Sequence, residues 1–149
     1  SAWVMSSVEN MQGMFAQADV FNQDISGWDV SNVTNMQAVF KEAAAFSQNL
    51  ADWDITSVTT MASMFNNSGL ATVNYDRTLI GWAKQAVQSN VSLDAAGIEY
   101  CNAGNARGDL QTNNSWTISD AGITPACPAF VIVMDPQYAG TQSCRQWSI

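Results

Sequence analysis

Two aspartates, Asp29 and Asp54, are the residues whose type and spacing could do chemistry, because they are 25 positions apart and each lies between a Trp and an aliphatic residue. If the two segments run side by side in a parallel ladder, the carboxylates come within about 5 Å of each other. A cation such as Ca²⁺ could then sit between them, although it would need six or more oxygen ligands. Two solvated acids on a charge-poor surface explain the same pair, and we favour that interpretation.

The composition excludes most other chemistry. The chain of 149 residues contains no His, which removes imidazole bases, His metal ligands and the Ser-His and Cys-His nucleophile pairs. No acid has a recognisably apolar setting that would raise its pKa for general-acid work. Five basic and 13 acidic residues give a net charge of −8, which disfavours nucleic acid and anionic lipid as partners. We expect no enzyme, no cofactor and, without about 18 consecutive apolar residues, no membrane insertion.

A repeat of 25 residues places these aspartates at equivalent positions. Trp, Met and Phe are rare residue types, and their coincidence at a fixed step indicates a true internal repeat. We call residues at the same position of successive copies a column. The main columns are Trp3, Trp28 and Trp53; Val8, Val33 and Val58; Met11, Met36 and Met61; and Phe15, Phe40 and Phe65. The sequence therefore divides into repeat units over 1–70, a capping region over 71–127 and a tail of unknown role over 128–149.

The spacing within one unit predicts a short strand followed by a short helix. Trp28 and Val30 alternate as inward-facing residues of a strand do. Val33, Met36 and Phe40 then fall on one face of a two-turn helix. Such a unit cannot bury its apolar face alone and must stack on its neighbours. The predicted fold class is an α/β solenoid: a short leucine-rich-repeat-like stack, with a strand and a short helix in each unit, closed by an α+β C-terminal cap.

The periodicity ends near Gly69, and the capping region predicts separate elements. Residues 75–87 are typical of an amphipathic helix, and residues 103–110 of a second short helix. Residues 91–93 and 116–118 alternate as short strands do. An atypical terminal unit of this kind closes the open apolar end of a stack of repeats.

The segment 28–40, WDVSNVTNMQAVF, resembles the BspA-like surface-protein repeat, a leucine-rich-repeat relative of about 25 residues found in bacterial surface proteins and mycoplasma lipoproteins. The segment 21–28, FNQDISGW, is similar to the other half of that repeat. The resemblance covers residues 3 to about 70. It implies a secreted or cell-surface bacterial protein, often one involved in attachment, and it supplies no catalytic residues.

The capping region resembles the cysteine-containing region that follows such repeats in some bacterial proteins. Tyr100, Cys101 and Arg107 carry the likeness, together with residues 116–122, which lead to Cys127. The resemblance implies a disulfide between Cys101 and Cys127, with two reduced, packed thiols as the alternative. Cys144 is left over, and an odd cysteine indicates a free thiol or an intermolecular bond.

Exposed polar columns are the candidate binding surface for a protein or glycan partner at the cell surface. The residues assigned to it are Asp29, Asp54, Asn32, Thr34, Asn35, Ser57 and Thr59. The competing function is a structural subunit or spacer in a surface assembly or filament. Trp3, Met5 and Val8 would face solvent at an open N-terminal end, which favours self-association there, through Trp3 or Cys144. Since the chain begins at Ser1, we interpret it as a processed or excised piece, so the missing leader says little about location.

Overall fold

The computed structural model describes residues 3–127, in which two helices alternate with two strands. Helix α1 spans Thr72–Trp82, strand β1 spans Ser92–Ala95, helix α2 spans Gly104–Asn113 and strand β2 spans Thr117–Asp120. All four elements lie within a few residues of their predicted positions. The two strands pair in parallel, with Leu93 opposite Ile118. The expected tail over 128–149, with Cys144, lies outside the described residues.

The repeat region over residues 3–71 forms neither a helix nor an extended strand, so the strand and short helix predicted for each unit are not seen there. Left-handed backbone conformations are the physical reason. They recur at two positions of every copy: Gly13, Ala38 and Ser63, with φ of 65°, 55° and 57°, and Gln17, Glu42 and Asn67, with φ of 59°, 59° and 55°. A right-handed helix cannot pass through such residues. Each segment is instead a run of consecutive turns whose inward positions happen to share helical spacing.

Main-chain hydrogen bonds join each copy to the next one. Four alternate N–H groups of the first copy donate to four alternate carbonyls of the second, from Met11 to Asn35, Gly13 to Gln37, Phe15 to Val39 and Gln17 to Lys41, at 2.8–2.9 Å. The second copy repeats the pattern on the third, from Met36 to Thr60, Ala38 to Ala62, Phe40 to Met64 and Glu42 to Asn66. Isolated parallel bridges mark the same ladder. The left-handed residues turn alternate N–H groups toward the neighbouring copy. Backbone groups that would form hydrogen bonds within a helix therefore form them between copies.

The apolar columns pack on the inner side of this ladder. The rings of Phe15, Phe40 and Phe65 stack nearly parallel, with centroids 5.7 and 5.9 Å apart. Phe46 stacks on Phe40 at 3.7 Å, and Phe21 lies 6.3 Å from Phe46. Apart from Trp28, which is partly buried, the column members of the second and third copies are almost completely buried. A leucine-rich-repeat-like solenoid stays a prediction, which these bonds and stacked rings support.

Tryptophan side chains extend the same arrangement past the end of the sequence periodicity. The indole N–H of Trp53 donates to the carbonyl of Ile25 at 2.9 Å. Trp82, in helix α1, donates in the same way to Leu50 at 2.9 Å. Because Met61 also bridges in parallel to Leu93, strand β1 continues the ladder as its next rung. Helix α1 is inserted between the two rungs, and this insertion is why the 25-residue step disappears after Gly69.

A buried carboxylate and a disulfide fix the capping region. Asp76 of helix α1 accepts backbone N–H groups of Cys101, Asn102 and Ala103 at 2.8–3.1 Å, just before helix α2 begins. Cys101 is bonded to Cys127, so the disulfide that the resemblance implied is confirmed. The bond closes a loop of 26 residues, a restriction of the unfolded chain that stabilises the fold by roughly 3 kcal/mol in the chain-entropy model.

An ion pair joins helix α2 to strand β2, the last strand of the ladder. The guanidinium of Arg107 in helix α2 contacts Asp120 through Nε at 2.8 Å and through Nη2 at 3.2 Å. Its Nη2 also donates to the carbonyl of Ile118 at 3.3 Å, and the Tyr75 hydroxyl donates to Asp120 at 3.0 Å. Burial, followed by the charge of Asp120, raises the pKa of Tyr75 far above its ordinary value. Tyr75 therefore stays a neutral hydrogen-bond donor.

Two helical glycines give a matched test of how closely helix α1 packs on the repeat. A Cβ on Gly81 would lie 2.5 Å from the carbonyl oxygen of Ala51, whereas a Cβ on Gly108 in helix α2 would meet nothing within 4 Å. Gly81→Ala should lower the free energy of unfolding by about 1–3 kcal/mol through overpacking. Gly108→Ala should raise it by about 0.5–1 kcal/mol, since alanine suits a helix better. Urea denaturation measures both; equal effects would contradict the packing of α1 on the second copy.

Candidate functional site

The two aspartates of the predicted pair each hold a local turn. Asp29 Oδ1 accepts the backbone N–H of Ser31 at 3.2 Å and its hydroxyl at 2.6 Å. Asp54 does the same with Thr56, at 3.0 and 2.7 Å. Both side chains are exposed, and among the described residues no hydrogen bond joins one to the other. Their residue types are explained by turn formation, a role that the sequence interpretation missed.

No metal site accompanies these acids within residues 3–127. In that part of the chain, no group of three or more His, Cys, Asp or Glu side chains could hold a metal ion. The Ca²⁺ candidate of Asp29 and Asp54 therefore has no third acidic ligand among the described residues. In addition, one oxygen of each carboxylate is already occupied by its own turn.

Four of the five remaining predicted binding residues are tied to the neighbouring copy. The Thr34 hydroxyl donates to the carbonyl of Glu9 at 3.2 Å, and the Thr59 hydroxyl donates to that of Thr34 at 3.1 Å. Asn32 Nδ2 donates to the carbonyl of Ser6 at 2.9 Å. The structure thus brings Thr34 and Thr59 together in one column, and both stay exposed. Ser57 is half-buried.

Amide side chains form a second column beside these hydroxyls, which we call the amide column: Asn10, Gln12, Asn35 and Gln37. Asn10 and Asn35 face each other across the ladder as a parallel bridge. Asn35 Nδ2 donates to Gln12 Oε1 at 3.3 Å, while Asn35 Oδ1 accepts the backbone N–H of Gln37 at 2.9 Å. Gln12 and Gln37 are exposed. Asn10 and Gln12 were missed as candidates, although the repeated Asn-x-Gln at 10–12 and 35–37 could have identified them.

Hydrogen bonding fixes the side chains of Asn10, Gln12, Asn35, Thr34 and Thr59 and therefore shapes the surface before any partner arrives. Each fixed amide or hydroxyl still has free donor or acceptor capacity, because these groups make more than one hydrogen bond. The surface offers neutral hydrogen-bonding groups at a regular spacing. The arrangement can recognise a polar partner through hydrogen bonds.

The first copy leaves part of its apolar surface uncovered. Trp3 is 63% exposed and stacks on Trp28, with ring centroids 5.8 Å apart. Val8 is half-buried, in keeping with an open end. Met5 was expected to face solvent, and that expectation is wrong, since the side chain is only 4% exposed. Met5 belongs to the same column as Val30 and Ile55, which turns inward in every copy.

A groove of about 300 Å³ lies beside the disulfide. Thr72, Val73, Asn102 and Thr124 line it, with Asp76. The Asp76 carboxylate is the one charged group of this lining, and three backbone N–H groups already occupy it. The groove therefore offers a ligand little beyond apolar contact.

Helices of the described region do not reach the length and apolarity that crossing a bilayer requires.

The aspartate turns predict how stability responds to acid. A hydrogen bond from the Ser31 hydroxyl, then one from its backbone N–H, holds the pKa of Asp29 below its ordinary value of 3.8; Ser26 lowers the pKa of Asp24 in the same way. A carboxylate whose pKa is lower in the folded state than in the unfolded state stabilises the fold at pH values above its unfolded-state pKa. That stabilisation is lost as the pH falls through the folded-state pKa.

The double variant Asp24→Asn, Asp29→Asn keeps a carbonyl acceptor in both turns but cannot titrate. Its melting temperature should fall less than that of the unchanged protein between about pH 5 and pH 2. Near pH 7 the two proteins should melt at similar temperatures, which serves as the control. Parallel acid profiles would show that these turns do not favour the ionised carboxylates.

A family model described as "Mycoplasma protein of unknown function, DUF285" matches residues 1–97. That span includes all three copies, helix α1 and strand β1. The curated proteins and the solved structures give no match to the chain. Since the match covers 97 of the 149 residues, the chain belongs to the DUF285 family of mycoplasma proteins of unknown function.

Proposed function

We propose that the chain is a non-enzymatic extracellular module of a bacterial cell-surface protein, which binds a protein or glycan partner through the amide column and the adjoining threonines. The observation that carries the proposal is the pinning of Thr34, Asn35 and Thr59 to the preceding copy. Thr34 and Thr59 are exposed, yet each is held by a carbonyl of the preceding copy. A side chain that is ordered beforehand loses less conformational entropy on binding.

The chemistry of this surface favours a neutral polar partner. Amides and hydroxyls both donate and accept hydrogen bonds, as sugar hydroxyls and peptide groups do. With a net charge of −8 the protein would repel a polyanion. The turn aspartates Asp29 and Asp54 lie in the same sequence segments as the column and would add acceptors at its border.

Two further observations support a location outside the cell. The disulfide between Cys101 and Cys127 suits an oxidising compartment, because the bacterial cytosol keeps most thiols reduced. The likeness of residues 3 to about 70 to BspA-like repeats points the same way, and the match to a mycoplasma family is compatible with it.

A second candidate function, a structural spacer in a surface assembly or filament, is favoured by the uncovered apolar surface of the first copy. Exposed apolar area of that kind is typical of an interface. A spacer needs no ligand on its polar face, so variants of the amide column would leave its role unchanged. The two candidates therefore differ in which part of the surface is sensitive to mutation.

Binding of the purified chain to a mammalian glycan array and to a panel of immobilised host surface proteins tests the proposal. We expect at least one glycan or protein to be bound, and the double variant Asn10→Ala, Gln37→Ala to weaken that binding about tenfold or more, a change of about 1.4 kcal/mol. The Gln37 side chain makes no hydrogen bond within the described region, so the fold should tolerate its loss.

Gln23→Ala is the matched control, because Gln23 is an exposed glutamine of the same repeat unit that lies outside the amide column. It should bind as the unchanged protein does. Equal losses for both variants, or no binding to any member of either array, would contradict the proposed function. An oligomer seen by light scattering in that case would favour the spacer.

A further inference from the structure

Two rows of small side chains cross the outer side of the ladder, from the first copy to strand β2. Parallel bridges join the first copy to the second, the second to the third and the third to strand β1, and β1 pairs with β2. Each of these five segments contributes two residues, one before and one after a buried Met, Leu or Ile. We call the ten residues the polar strip: Asn10, Asn35, Thr60, Ser92 and Thr117 in one row, and Gln12, Gln37, Ala62, Asp94 and Ser119 in the other.

The polar strip continues into the capping region, beyond the amide column. Ser92 lies opposite Thr117, and Asp94 lies opposite Ser119, in the parallel pair of β1 and β2. Ser92, Thr117 and Ser119 are exposed, and their hydroxyls make no hydrogen bond within the described part of the chain. These hydroxyls are therefore open to donate to a partner and to accept from one.

The polar strip is almost free of charge. Its one ionisable residue is Asp94, which is half-buried, and the Oδ2 of Asp94 already accepts the backbone N–H of Ser63 at 2.8 Å. None of the ten residues is basic or aromatic. A partner on the strip would therefore be held by hydrogen bonds, with little contribution from opposite charge or from stacking on a ring.

The spacing of the strip favours a sugar chain over a peptide. Neighbouring strands lie about 4.8 Å apart, so five segments present hydrogen-bonding groups at that step over a length of about 19 Å. An extended peptide repeats about every 6.6 Å, the length of two residues, and a polyproline II peptide advances about 3.1 Å per residue. Neither keeps in step with the strands. In an extended glycan with equatorial linkages, each pyranose ring advances the chain by close to one such step and carries hydroxyls at that interval.

The main chain beneath the strip gives a peptide no pairing site either. In the second copy the N–H groups of Met36 and Ala38 donate to the third copy, while the carbonyls of Asn35 and Gln37 accept from the first. A peptide that binds by strand addition needs free main-chain groups at an exposed sheet edge. Over the strip, a peptide would have to rely on side-chain contacts alone.

We propose that the polar strip binds one linear, uncharged glycan that lies across the five segments, with about one sugar ring over each. This inference rests on the proposed function and narrows it, since it names the class of partner and its direction on the surface. It also adds Ser92, Thr117 and Ser119 of the capping region to the binding surface. The amides at one end of the strip and the hydroxyls at the other both donate and accept, as the hydroxyls of a sugar do.

Binding of oligosaccharides of increasing length tests the proposal. The probes are β-1,4-linked chains of glucose, of mannose and of N-acetylglucosamine, each from two to six rings, titrated into the purified chain by calorimetry. In at least one series the affinity should rise about tenfold or more from two rings to five, because each ring adds hydrogen bonds. It should rise less than about twofold from five rings to six, since the sixth ring lies beyond the strip. Hyaluronan fragments of matched length, which are anionic, should bind about tenfold more weakly or not at all.

The double variant Ser92→Ala, Ser119→Ala tests the part of the strip that lies in the capping region. It should lower the affinity for the five-ring chain by about fivefold or more, because two hydroxyls are lost and the strands remain. Ser89→Ala is the control, since Ser89 is an exposed serine shortly before β1 that lies outside the strip. It should bind as the unchanged protein does.

The outcomes separate this inference from the proposed function. A host protein that binds through Asn10 and Gln37, while none of the three sugar series binds, would overturn the glycan inference and leave the proposed function intact. An affinity that stops rising at three rings would also overturn the inference, as would equal losses for the double variant and Ser89→Ala. Absence of binding to every sugar series and to every member of the two arrays would overturn both.

Discussion

Hydrogen bonds from alternate N–H groups of one copy to alternate carbonyls of the next are the interaction on which the rest of the structure depends. They exist because two residues of every copy are left-handed, Ala38 and Glu42 in the second. That conformation prevents a helix and turns the backbone toward its neighbour. Once the backbones are joined at this distance, the Phe and Trp columns must stack and the threonine and amide side chains must line up. Core and polar surface both follow from the same ladder.

The repeat and its core could be predicted from the sequence, because rare apolar residues recur at a fixed step in Trp28, Met36 and Phe40 and their equivalents. The local structure could not. Consecutive turns bring inward every third or fourth residue, as a helix does, and only the left-handed residues distinguish the two. Two of the three residues at the first such position are Ala38 and Ser63, which carry no turn signal of their own; only Gly13 suggests one.

Only part of the candidate surface was predicted, and the reason is similar. Thr34 and Thr59 were identified because their types repeat, but Gln12 was missed because the third copy has Ala62 at that position. The aspartates were read as a potential pair, whereas each forms a turn with the Ser or Thr two residues on. Periodicity alone cannot separate a residue that shapes the backbone from one that meets a partner.

The most direct test of this account is NMR detection of scalar couplings across hydrogen bonds, which identifies each donor with its acceptor. The ladder predicts couplings from the N–H of Met36 to the carbonyl of Thr60, from Ala38 to Ala62 and from Phe40 to Met64. Couplings within the segment 33–40, each from an N–H to the carbonyl four residues earlier, would contradict it. They would show a helix in each unit and a stack held by side chains alone.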